Sequence, residues 1–233
     1  MKKIQACLLC GEPLEYLQKA EQMRCVDCGQ SFFGNARCKA GHFICDNCHS
    51  RRGLEQIARV CLAAKNENPA EIAIEMMRQP FVYMHGPEHH SLIGAALLAA
   101  YENSGGKIDS REEALKEITR RAKAVPGGAC GFWGACGAGV GAGIFLSVVL
   151  GATPLSKGSW GSANELTAAC LSRIGQAGGP RCCKRNVFLA LMEASSFISQ
   201  RLGVQMQYSS PKCSFFGGNA QCKKTDCPFY PGK

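Results

Sequence analysis

CLLCGEPLEYLQKAEQMRCVDCGQSFFGNARCKAGHFICDNCH, residues 7–49, carries seven of the chain's sixteen cysteines and two of its five histidines. Cys7-Leu8-Leu9-Cys10 and Cys25-Val26-Asp27-Cys28 are C-x2-C knuckles, each followed directly by a glycine, Gly11 and Gly29, as a tight knuckle turn requires. Together they make a C-x2-C-x14-C-x2-C set, one residue short of the usual zinc-ribbon loop. Cys38, His42, Cys45 and Cys48 make a second sufficient set, with His49 as a spare ligand. The spacing leaves open whether each set binds its own ion or the two exchange partners. Four protein ligands per ion leave no open position, so structural Zn2+ is expected here. Metal binding also replaces a hydrophobic core that so short a segment can hardly supply.

Outward from this segment, the 233 residues, 25 kDa and 46% hydrophobic content fit one ordinary domain with small appendages. Met1-Lys2-Lys3 leads into Ile4-Gln5-Ala6-Cys7 without an apolar leader, and the longest apolar run, Ala138 to Ala152, is too short and glycine-rich to span a bilayer. A cytoplasmic protein with reduced, metal-ligating thiols and no membrane contact is expected. The formal charge of +9 falls to about +6 once a Zn(Cys)4 and a Zn(Cys)3His centre are counted. The basic residues are scattered, so a nucleic-acid partner is not favoured by charge.

Three segments are expected: a zinc-binding module at 1–52, a helical core with the candidate active site at 53–203, and a cysteine-rich metal-binding tail at 204–233. Periodicity and caps place helices from Leu54 to Lys65, from Asn68-Pro69 to about Gln79, from Pro87 to Asn103, and from the Ser110–Glu113 capping box to about Ala124. A second capping box, Ser162–Glu165, opens a helix stopped by Gly178-Gly179-Pro180, and Lys184 to Leu202 forms another, closed by Gly203. The glycines between Gly127 and Gly143 imply close backbone approach to a ligand, a cluster or a neighbouring helix. The fold class is therefore mainly α: a helical core, a small zinc-ribbon or treble-clef-like N-terminal module, and a tail folded back on the core.

Chemistry-bearing residues concentrate at three further places. His85, Glu88, His89 and His90 gather three histidines and a carboxylate at a helix start, as acid–base chemistry needs. Cys182 and Cys183 open a helix whose N-terminus favours thiolates, and Lys184, Arg185 and Asn186 suit an anionic substrate. Cys213, Cys222 and Cys227 supply three further thiolates, with Cys182, Cys183, Cys130 or Cys136 available as a fourth. Cys61 and Cys170, alone on apolar helix faces, read as structural thiols.

The runs MHGPEHH (84–90), VPGGACGFWGACGAGVGAGIF (125–145) and GGPRCCKRN (178–186), with the flanking knuckles, resemble an uncharacterised cysteine-rich prokaryotic family, domain of unknown function 5714. GPEHHSLIGAALLAA (86–100) is also similar in layout to the GPSSSHTVGP-type motif of iron–sulfur L-serine dehydratases. The PCxxRN motif of those enzymes is matched from Pro180 to Asn186 if Cys182 takes the cysteine place. That resemblance implies a [4Fe-4S] cluster on three cysteines with an open iron acting as Lewis acid, Cys182 as a ligand and His90 facing substrate. The chain departs from it at Lys157–Gly161, where no cysteine stands, and has no TCDPV counterpart. Cys130, Cys136 or the C-terminal trio would have to substitute.

Two functions of different class follow. One is an Fe–S-dependent non-redox lyase or sulfur-handling enzyme acting on a small carboxylate. The other is a zinc-binding module for a protein or nucleic-acid partner, or for a second copy of the chain, without catalysis.

Overall fold

The computed structural model describes Cys7 and residues 9–232, so the start of the chain that was read for a leader lies outside the described residues. Strands β1 (Leu14–Arg24) and β2 (Ser31–Cys38) pair antiparallel, Leu14 opposite Cys38 and Arg24 opposite Ser31, with an irregularity between Tyr16 and Glu21. The second knuckle forms the turn of this hairpin, and the first knuckle precedes its open end. Eight helices follow among the described residues: α1 (Asp46–Ala63), α2 (Pro69–Arg78), α3 (Glu88–Asn103), α4 (Arg111–Ala122), α5 (Ala129–Phe132), α6 (Gly137–Val149), α7 (Gly158–Ala177) and α8 (Cys183–Leu202).

α3 is the centre of the core. From Ser91 to Tyr101 every residue is buried, the pattern of a helix apolar all round. It packs against α1, α2, α4, α6 and α8, and α7 closes the far side against α6 and α8. Close packing of α6 depends on its glycines. A Cβ at Gly141 would stand 2.3 Å from the carbonyl oxygen of His90 on α3, and one at Gly143 would overlap the Thr167 hydroxyl on α7. Of the three roles open to this stretch, helix–helix approach accounts for these two positions.

Local chemistry sets the helix ends. Asn68 and Ser110 cap α2 and α4 by accepting from the N–H groups of Ala70 and Glu113. Two boundaries differ from expectation. α1 begins eight residues before Leu54, so its first turn carries Cys48 and His49 and the hairpin module runs into the core through one continuous helix. α7 begins at Gly158, and Ser162 lies inside it. The side chains of Thr153 and Ser156 form a compact turn 3.1 Å apart, so the chain is already re-entering helix before the supposed cap.

The tail folds back over α2 and α8. Asn68 donates to Ser209 at 2.6 Å, the Gln207 N–H to Glu67 O at 3.2 Å, and Phe229 packs edge-on against Phe188 with ring centres 5.3 Å apart. No helix among the described residues is long and apolar enough to cross a membrane.

Candidate metal centres and a thiol-lined cleft

The hairpin decides the ligand pairing. The two ends of β1 pair with the two ends of the eight-residue β2, so at ~3.4 Å per residue they lie about 24 Å apart. Cys7 and Cys10, before β1, therefore cannot meet Cys25 and Cys28, beyond it. Antiparallel pairing instead returns Cys38 to the start of β1. The first site is Cys7, Cys10, Cys38 and His42; the second is Cys25, Cys28, Cys45 and Cys48, where the start of α1 covers the hairpin turn. Within each set all ligand atoms lie within 4.8 Å of one another. Cys10 and Cys38 sulfurs stand 3.4 Å apart, Cys28 and Cys45 3.9 Å, and His42 Nδ1 is 3.3 Å from the Cys10 sulfur. A tetrahedral ion with 2.3 Å bonds to sulfur needs thiolates about 3.8 Å apart.

The knuckle backbones are prepared for thiolates. Gly11 and Gly29 have φ of +78° and +71°, and their N–H groups donate to the carbonyls of Cys7 and Cys25, both at 2.9 Å. Burial opposes ionisation of Cys25, but N–H donors from Cys45, Cys28 and Asp27 outweigh it and bring the thiol to about 6. Donors from Cys10 and Leu9 likewise bring Cys7 to about 7 against burial. His49 stands outside both sets: its Nδ1 lies 3.6 Å from Glu88 and its ring packs on Tyr83.

Between the hairpin module and the helical core lies a cleft of about 930 Å3. Cys130 of α5, Cys136 capping α6 and Cys183 opening α8 line it, with His85, His89, His90 and Asn186 from the core and Tyr16 from β1. Burial first, and then the charge of Cys136, raises the pKa of both Cys130 and Cys183. Asn186 donates to the Cys136 sulfur at 3.2 Å. Burial pushes Cys183 up to about 12 against the Gly86 N–H and Arg181. Asp46, in the first turn of α1, accepts the Gly127 N–H at 2.6 Å and so pins the glycine loop that carries Cys130.

The histidines are oriented by their partners. His89 Nδ1 lies 3.2 Å from the Gly86 carbonyl and 3.4 Å from Glu88, while its Nε2 is buried without a hydrogen-bond partner. His85 donates through Nε2 to Asn219 at 3.3 Å, and its buried Nδ1 also lacks one. His90 Nδ1 donates to the Val125 carbonyl at 3.1 Å. These partners fix tautomers that leave one ring nitrogen free to accept a proton. Burial, reinforced by the Arg181 charge, holds His85 down at about 4. Glu88 lies beneath the cleft, fully buried, and accepts from the Tyr83 N–H at 3.1 Å. Burial would raise its pKa, but His49 and His89 together hold it well below the usual carboxylate range.

The three residues expected to bind substrate separate. Asn186 reaches the cleft. Lys184 is buried, donates to the Tyr83 carbonyl at 2.8 Å and sits over the Phe215 ring. Arg185 is turned inward to the carbonyls of Gly178 and Pro180, at 2.8 and 2.9 Å. Three cations do line the cleft, Arg37, Lys123 and Arg181, and Arg181 is hydrogen-bonded to the Tyr16 hydroxyl and stacked 5.1 Å over its ring. Its place directly before Cys182-Cys183 was the available sequence signal, whereas nothing local marked Tyr16. Cys182 faces away from the cleft, toward Cys213, Cys222 and Cys227. Cys61 and Cys170 are fully buried and bond to the carbonyls of Ala95 and Ala190.

Fold and sites together define a mainly helical, cysteine-rich protein with two Cys/His clusters fit to bind metal. The chain belongs to a family of unknown function (DUF5714), whose model matches residues 57–230. The matched span contains the three cleft cysteines and the four on its far side, and begins after the two N-terminal clusters. No curated protein and no solved structure matches the chain, so the likeness to L-serine dehydratases rests on its short motifs alone.

Proposed function

We propose that this chain is a metalloenzyme acting on a small hydroxy- or thiol-carboxylate in the cleft, with Zn2+ in both N-terminal sites and an iron–sulfur cluster on Cys130, Cys136 and Cys183. The observation that carries this reading is three thiols from three separate elements meeting at one cleft beside two histidines with unpartnered ring nitrogens. No three of the cleft thiols lie within 4.8 Å of one another, the spacing both N-terminal sets keep. A donor set too wide for one ion suits a multi-iron cluster, which Cys130, Cys136 and Cys183 would hold by three thiolates, one fewer than its irons. When bound, such a cluster supplies a Lewis acid for a substrate hydroxyl or thiol.

The chain's own residues supply the rest. Arg181, steadied by Tyr16, binds the substrate carboxylate. His89 Nε2 takes the proton from the carbon next to that carboxylate as the departing oxygen or sulfur leaves with its bonding electrons, and His89 then returns that proton to it, giving water or hydrogen sulfide and an unsaturated acid. His85 and His90 flank the same space. Glu88 is a positioning residue that fixes His89. The test is anaerobic incubation with hydroxy- and thiol-amino acids, following released sulfide, ammonia and oxo acid. Turnover lost in Cys183→Ala and His89→Gln supports the reading. An anaerobically purified protein that releases nothing and binds none of them contradicts it.

The rim offers a second reading. Phe33 and Trp133 are 76% and 67% exposed at the cleft mouth. Without a cluster, an apolar rim of this kind fits a docked protein segment, and the module would serve binding alone.

A further inference from the structure

We propose that Cys182, Cys213, Cys222 and Cys227 form a separate, fully ligated [4Fe-4S] site on the opposite side of Cys183 from the cleft. All four line one small cavity of about 20 Å3, between the start of α8 and the folded-back tail, walled by Phe188, Phe215 and Phe229. Here too no three of the thiols come within 4.8 Å of one another, so the set is wider than a single ion requires. Metal–sulfur bonds of about 2.3 Å are shorter than van der Waals contact, so the free space needed is less than a cluster's bulk.

Backbone donors already point at these sulfurs. The N–H groups of Arg185, Phe215 and Lys224 donate to Cys182, Cys213 and Cys222 at 3.5, 3.4 and 3.3 Å. A second, independent observation is charge. Arg185 lines the cavity and is buried, and among the described residues it has no carboxylate within 4 Å, whereas the charge of the nearby Lys184 is already favoured by Glu88. Buried cations need a compensating anion. Four thiolates around a 2+ cluster core carry net −2 and supply it, with Lys223 at the cavity wall as a second cation.

With its shell full, this centre takes no substrate. Its consequence is positional: it ties the tail to α8, and the tail presents Asn219, whose side-chain oxygen holds His85 at 3.3 Å. The inference does not depend on a cluster in the cleft.

The test is anaerobic reconstitution of the full chain with ferrous iron and sulfide, comparing wild type with Cys213→Ser, Cys222→Ser, Cys130→Ser and the structural control Cys61→Ser. Cys213→Ser and Cys222→Ser should each lose about four irons and four sulfides while zinc and helical circular dichroism stay unchanged. Iron at the wild-type level in both variants, or a third zinc and no iron in wild type, would overturn the proposal. If Cys130→Ser alone keeps all its iron, the four-thiol site stands and the cleft reading falls. If only Cys130→Ser loses iron, the reverse holds. Should both tail variants misfold, the Mössbauer spectrum of Cys130→Ser decides: about four irons per chain, all with four-sulfur ligation, support the site, and their absence refutes it.

Discussion

At the residue scale, ligand types were legible and their partners were not. Cysteine spacing marks a knuckle, but which knuckles share an ion depends on strand pairing, which acts over the full length of β1. Cys7→Ser tests this. The paired sites found here predict that the remaining ion is bound by Cys25, Cys28, Cys45 and Cys48, so X-ray absorption of the bound metal should show four sulfurs and no nitrogen. Pairing of consecutive knuckles would instead leave three sulfurs and the His42 nitrogen. His85 carries a second prediction. Its folded pKa of about 4 lies below the 6.5 of the unfolded chain, so the unfolded state binds the extra proton as pH falls through that window. The neutral ring's contribution is whole above 6.5 and is lost toward 4. Between pH 7 and 5.5 the loss is about 1 kcal/mol. Denaturation of metal-loaded protein at the two pH values should show that slope in wild type and a shallower one in His85→Gln.

At the scale of elements, periodicity and caps placed most helices because those signals are local. Ser110 caps as its sequence suggests, through a 3.3 Å bond from the Glu113 N–H. The Ser162 box failed because a turn upstream, closed by Thr153 and Ser156, had already set the helix start. The glycine run hid α6, since its low intrinsic helix propensity is overridden by packing that only the folded neighbours reveal. Gly141→Ala should therefore destabilise by about 1–3 kcal/mol, because its Cβ meets a backbone carbonyl that cannot move aside. Gly131→Ala in α5, with nothing within 4 Å, should be neutral or gain up to about 1 kcal/mol. Chemical denaturation of the two variants checks the contrast. Equal effects would mean that α3–α6 contact is not what the glycines serve.

At the scale of the whole molecule, the chain brings cysteines from two distant stretches, 130–136 and 213–227, to the two sides of one dipeptide. Cys183 faces the cleft with Cys130 and Cys136, and Cys182 faces the tail with Cys213, Cys222 and Cys227. The sequence showed these thiols as candidates but could not divide them, because the division follows from opposite side-chain directions at the first turn of α8. Arg181 was likewise invisible as a cation of the cleft until β1 placed Tyr16 against it. Arg181→Ala should leave metal content and helical signal unchanged while weakening binding of small carboxylates tenfold or more, about 1.4 kcal/mol, as read by isothermal calorimetry. Unchanged affinity would remove Arg181 from the site. The proposed chemistry turns on which metals these cysteines hold. It is tested most directly by iron, zinc and acid-labile sulfide per chain, with a visible spectrum, on protein purified without oxygen. The account predicts a brown protein with about two zincs and about eight irons matched by sulfide. A colourless, air-stable protein carrying zinc alone would contradict it.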